Sequence, residues 1–205
     1  MNPSILDHLR NFPLTPHDPE ERFITSGVNW QQYENLLNNL TANNAHYRLT
    51  YLDGLLEIMS PSRRHEVSKK NIARLLEAYL EENRIRFWAL GSTTFRDRQQ
   101  TVGKEPDECY CFETEKEIPD LAIEIVLTSG GIDHLTIYQR LGVREIWFWQ
   151  DHQFYLYGLE NNAYQLLTHS QLLPQLDLSL LAQYVETSEP LEAIVDYRQA
   201  IRGVR

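Results

Sequence analysis

Cysteine is scarce in this sequence, with two among 205 residues. Cys109 and Cys111 are spaced i, i+2, so on a strand they share a face with Cα atoms about 6.6 Å apart, near the upper limit for a disulfide. A lone C-x-C without clustered histidine is also a poor zinc signal. Both read as reduced thiols of a cytoplasmic protein. Long apolar runs are missing too, and the N-terminus (MNPSILDHLRNFPLTPHDPEERF) carries no apolar signal core. Both absences point away from membrane insertion and secretion. Basic residues are outnumbered, 19 Lys and Arg against 29 Asp and Glu, for a net charge of −10. That argues against a broadly cationic nucleic-acid binder, though not against a local phosphate-facing surface. Residues 63–104, with ten Lys and Arg against five Asp and Glu, are a candidate for such a surface.

What is present suits one globular α/β domain, with 42% hydrophobic residues and ample length for a core. Residues 1–28 read as an irregular arm, and 29–205 as the domain, its core at about 48–168. VNWQQYENLLNNL (28–40) has helical spacing. RLTYLDGLLEIM (48–59) reads as a hairpin around Asp53-Gly54, a type I′ turn pair. Residues 63–83 are helical, with Ile72, Leu75, Leu76, Tyr79 and Leu80 as the apolar stripe. Strands follow at IRFWAL (85–90), with STTFR (92–96) as its continuation, then at PDECYCF (106–112) and PDLAIEIVL (119–127). Gly130-Gly131 opens a helix over 132–141 that Gly142 ends. REIWFW (144–149), QFYLYGL (153–159) and AYQLLT (163–168) are further strands, and helices close the chain at 178–185 and 190–201. This order indicates a mixed sheet flanked by helices.

Two of these strands carry carboxylates, which an apolar interior does not accept without a partner. Alternation places Asp120, Ala122, Glu124 and Val126 on one face, and Asp107, Cys109 and Cys111 on one face of the preceding strand. In an antiparallel hairpin with Cys111 opposite Asp120, Cys109 meets Ala122 and Asp107 meets Glu124, with Cβ atoms about 5 Å apart. Two such carboxylates repel unless a cation lies between them. Oxygen-only donors suit Mg²⁺ or Mn²⁺. The alternative is another register in which each acid reaches solvent.

Histidines fall on two apolar stripes. His134 shares the inward side of its helix with Leu135, Tyr138 and Leu141, and His65 extends the Ile72 stripe by two turns. Glu57 reads as a solvated cross-strand partner of Arg48 or Thr50.

Four stretches together resemble the Uma family of restriction endonucleases, within the PD-(D/E)XK nuclease superfamily. They are LDGLLEIMSPSRRHE (52–66), Pro106-Asp107, DLAIEIV (120–126) and IYQRLGVREIWFW (137–149). The resemblance implies a restriction endonuclease-like α/β (α+β) fold, a mixed sheet core flanked by helices with extra hairpins. It also implies metal-dependent cleavage of DNA. Asp107 matches the motif aspartate and Glu124 the motif acid, which would hold Mg²⁺ or Mn²⁺. The motif lysine belongs two residues after the acid, where this sequence has Val126. The family typically moves it onto the following helix, where His134 stands. Histidine is not a permanent cation, so weak cleavage is expected. His134 and His65 complete the candidate catalytic set. Arg63, Arg64, Lys69, Lys70, Arg96 and Arg98 are the candidate phosphate contacts. Duplex cleavage by one site per chain would favour a two-fold dimer. The competing reading is a degenerate nuclease fold that binds DNA or protein without turnover.

Overall fold

Asp53 and Gly54 both adopt positive φ, 48° and 89°, and turn the chain between two short alternating runs. These runs are β2 (Arg48–Leu52) and β3 (Leu55–Ser60), paired antiparallel as the hairpin expected. The computed structural model describes residues 20–43, 47–127 and 131–203. Before the hairpin come β1 (Glu21–Thr25) and α1 (Trp30–Ala42), and after it α2 (Arg63–Glu82), β4 (Phe87–Ala89), β5 (Phe95–Asp97) and β6 (Val102–Lys104). Next are β7 (Glu108–Phe112), β8 (Leu121–Ile125), α3 (His134–Leu141), β9 (Glu145–Gln150), β10 (Gln153–Glu160) and β11 (Ala163–Leu167). Helices α4 (Leu178–Val185) and α5 (Pro190–Gly203) complete the described chain.

The strands divide between two sheets. One is antiparallel, in the order β1-β3-β2-β6-β5, and the other runs β11-β10-β9-β8-β7-β4. Among the described residues only β8 and β9 pair in parallel, which requires a crossover, and α3 lies in it. The fold is thus the restriction endonuclease-like α+β arrangement, its mixed sheet flanked by helices and accompanied by an extra hairpin sheet.

Each sheet has an apolar face and a less apolar one. Ile123, Ile125, Trp147, Trp149 and Leu156 of the mixed sheet are buried with Ile72 and Leu76 of α2, Leu181 of α4 and Tyr197 of α5. The other face presents Cys109, Ala122 and Ile146 to Ile137 and Tyr138 of α3, and to Leu52, Phe95 and Val102 of the antiparallel sheet. That second sheet buries its own apolar face, Leu49, Tyr51, Leu56 and Ile58, under Tyr33, Leu36 and Leu40 of α1. Its polar face therefore points back at the mixed sheet.

Three expectations need correction. The arm is not irregular throughout: Glu21–Thr25 pair with β3 as an edge strand, while residues 1–19 lie outside the described residues. Phe95 and its neighbours do not continue β4. Gly91, at φ 58°, turns the chain, and β4 and β5 enter different sheets. The three-residue strand β6 was not expected at all. The helix after β8 begins at His134 with Asp133 as its N-cap, and Gly142 ends it in the left-handed conformation, as expected. Gly130 lies outside the described residues.

Candidate active site

Polar side chains from both sheets line a cavity of about 610 Å³. In the antiparallel sheet Thr50 stands between Glu57 of β3 and Lys104 of β6. Two residues away on the same face, Met59 stands between Arg48 and Arg22. The hairpin's polar face is therefore the roof of the cavity. Glu57 stands opposite Thr50 as expected, but it is 2% exposed and not solvated. Its Oε2 accepts the Ile132 N–H at 3.3 Å and lies 3.8 Å from Arg22.

The floor comes from the mixed sheet. Strands β7 and β8 pair with Cys109 opposite Ala122, the first of the two registers considered from the sequence. One step past the Glu108–Ile123 pair, this register sets Asp107 against Glu124. Both are buried, at 1% and 3% exposure, and both line the cavity. Asp107 Oδ2 accepts the Ile125 N–H at 2.6 Å, and Oδ1 is held by His65 Nε2 at 2.8 Å and by the Arg48 guanidinium. Glu124 Oε1 accepts the Tyr138 hydroxyl, and Oε2 lies 3.1 Å from Lys104 Nζ.

His65 is positioned by its helix. Ser62 caps α2 by accepting the His65 N–H at 3.1 Å, so the imidazole emerges in the first turn, facing β7. Its Nδ1 contacts Glu20 and its Nε2 Asp107, which clamps the ring between two carboxylates. His134, in the first turn of α3, places Nδ1 3.7 Å from Glu124 Oε2 and lies nearly parallel to Phe148. Among the described residues its buried Nε2 has no hydrogen-bond partner.

These surroundings set the protonation states. Burial opposes charge on Asp107, but the His65 hydrogen bond and the Arg48 guanidinium outweigh it and hold the carboxyl well below the usual range. Burial likewise opposes charge on His65, yet Asp107 and Glu20 together push it up to about 9. Glu124 is raised, chiefly by burial and further by Asp107, with Lys104 acting against the rise. His134 is driven well below the ordinary imidazole value by burial and then by Lys104, so it is neutral at pH 7.

The donor chemistry of Asp107 and Glu124, oxygen only and at the floor of a cavity, fits a hard divalent cation. Protein cations already compensate the pair, so such an ion would displace Arg48 from Asp107 or Lys104 from Glu124. Among the described residues no three His, Cys, Asp or Glu side chains form a metal cluster.

The structure brings Asp107, Glu124, His65 and His134 to one cavity. It does not bring the expected phosphate contacts there. Lys69 is buried and paired with Glu66, contrary to a solvent-facing role. Arg64 reaches Glu186 at 3.3 Å and Lys70 reaches Glu108 at 3.1 Å. Arg63, Arg96 and Arg98 are exposed and do not line the cavity. Sequence reasoning missed Lys104, Arg48, Tyr138 and Glu20. For Lys104 alternation gave no signal: it lies three residues before Asp107, an odd spacing that a continuous strand would put on opposite faces, and the two are brought together only because β6 and β7 enter different sheets.

Residues 30–188 match the model of the Uma2 family, which is described as "Putative restriction endonuclease". No curated protein matches the chain. Among the described residues no helix is long and apolar enough to cross a membrane.

Proposed function

Because the chain belongs to the Uma2 family, we propose that it is a divalent-metal-dependent endonuclease acting on DNA in the cytoplasm, with this cavity as its catalytic centre. The observation that carries the reading is the 3.1 Å approach of Lys104 to Glu124 beside Asp107. An aspartate, a glutamate and a lysine thus meet although the sequence lacks the lysine at both places where the resemblance would put it. The free thiols of Cys109 and Cys111 are in keeping with a reducing compartment.

Asp107 and Glu124 would hold Mg²⁺ or Mn²⁺, which when bound activates water and stabilises charge on the phosphate. The remaining work falls to the chain. Lys104 supplies a cation held among buried side chains, where its field on a phosphate oxygen is less screened than in bulk water. His65, held by Glu20, keeps Asp107 ionised and oriented. Tyr138 fixes the rotamer of Glu124. His134, being neutral, is able to accept a hydrogen bond from a water beside Glu124.

The Arg48–Asp107 ion pair favours a second reading, a degenerate nuclease fold that binds DNA or protein without turnover. Titration calorimetry with Mn²⁺ and a plasmid-nicking assay decide between them. The nuclease reading requires metal binding and nicking that Asp107→Asn and Glu124→Gln abolish. A folded parent protein that neither binds Mn²⁺ nor nicks in its presence refutes it.

A further inference from the structure

The cavity has a second half that phosphate chemistry leaves unused. Parallel register sets Phe148 of β9 beside Glu124, and antiparallel register sets Tyr155 of β10 beside Phe148. Alternation adds Tyr157 and Gln150 to the same face, and all four line the cavity. At a strand spacing of about 4.8 Å, Phe148 lies one strand and Tyr155 two strands from the carboxylate. Phe148 and Tyr157 meet edge to face, 5.7 Å between centroids at 82°. None of these three rings is fully buried. A half-exposed aromatic patch therefore continues, in one row across the sheet, from the carboxylate pair.

We propose that the site takes an unpaired DNA strand, its phosphate at Lys104 and the carboxylates and a neighbouring base stacked on Tyr155 and Tyr157. The inference rests on the nuclease reading and names its substrate class. Three observations converge on it. The first is the patch itself: every base has a π-face, so aromatic platforms beside a backbone site bind single strands with little regard to sequence. The second is depth. Asp107 and Glu124 lie buried at the cavity floor. A duplex keeps its bases stacked inside, so it offers no base to the patch beside that floor. A single strand offers a base together with its phosphate. The third is charge. With a net −10, and with Arg64, Lys69 and Lys70 paired to acids, the protein is poorly suited to the counterion release that drives duplex binding. Stacking depends less on that term.

The test compares a fluorescein-labelled 15-mer of thymidine with a blunt 15-base-pair duplex. Binding is read by anisotropy, and cleavage by gel in Mn²⁺. The substitutions are the double variant Tyr155→Leu with Tyr157→Leu, and Tyr155→Trp. The parent should bind and cut the single strand at least ten-fold better than the duplex. The double leucine variant should lose about ten-fold on the single strand with Mn²⁺ affinity unchanged, while the tryptophan variant, which keeps a ring, should stay near the parent. Equal handling of duplex and single strand, or a well-folded double variant that binds like the parent, overturns the inference and leaves the nuclease reading standing. Should the leucine variant unfold, as a thermal melt would show, loss of single-strand binding in a folded tryptophan variant overturns it too, and retention supports it. If nothing is cut but the 15-mer binds in a ring-dependent way, the nuclease reading falls and the strand-binding inference survives.

Discussion

Lys104 and Glu124 meet at 3.1 Å across two different sheets, β6 of one and β8 of the other. Both side chains are almost wholly buried. A second bond, from Lys104 Nζ to Thr50 Oγ1 at 3.5 Å, ties the ammonium to the strand beside it. Glu124 is therefore paired with a lysine from the other sheet, although the candidate partner on the helix that follows its own strand is a neutral histidine.

Removing that cation should be severe. Lys104→Met leaves a buried carboxylate without its partner, and breaking a buried pair from one side costs about 3–5 kcal/mol. Urea unfolding should show a loss of that order. Nicking by any protein that remains folded should drop at least a hundred-fold. A stable Lys104→Met protein that nicks like the parent would remove Lys104 from the site.

His134 now carries a different expectation from the one its position on the helix suggests. With Lys104 in place, His134→Lys puts a second ammonium beside the first in a desolvated site, where like charges repel. The melting temperature should fall and nicking should not rise. His134→Gln, which keeps hydrogen-bonding capacity, should retain most of the activity. A gain of cleavage in His134→Lys would mean that the cation is needed at His134 after all.

The His65 clamp predicts a dependence on alkaline pH. Its folded value of about 9 lies above the ordinary 6.5. The folded state thus binds the proton more tightly than the unfolded chain does. The contribution is fully present below about pH 6.5 and is lost as pH rises through about 9. Melting temperatures measured from pH 6 to pH 10 should fall more steeply for the parent than for His65→Gln. Parallel curves would show that the Glu20 and Asp107 contacts do not hold a protonated ring.

Gly103 precedes Lys104 and packs against α1, where a Cβ would land on the ring and hydroxyl of buried Tyr33. Overpacking of this kind costs about 1–3 kcal/mol. Gly103→Ala should lose stability in that range. It should also reduce nicking through displacement of β6, with Tyr33→Phe recovering part of both losses. An alanine variant as stable as the parent would show that this strand has slack.

Local order was legible in the residues themselves. Alternation put Asp107 with Cys109 on one face and Glu124 with Ala122 on another, and of the registers left open the structure has the one that pairs Cys109 with Ala122 and so sets Asp107 against Glu124. Turn and cap chemistry located Asp53-Gly54 and Gly142, because positive φ and a helix end leave local signatures. What the chain does beyond one hairpin or one helix was not legible. Alternation separates a polar face from an apolar one, but not whether water or another sheet covers the polar one. Glu57 read as solvated for that reason, and it is buried because the whole hairpin sheet turns its polar face inward. Glu20 and Lys104 were overlooked on the same grounds. Glu20 precedes, and Lys104 ends, a strand of only three to five residues that pairs with one distant in sequence. So short a segment has too little periodicity to declare itself, and only long-range pairing makes it a strand. The residue types at the site were therefore readable in part, while the cation that completes it was decided by how two sheets face each other.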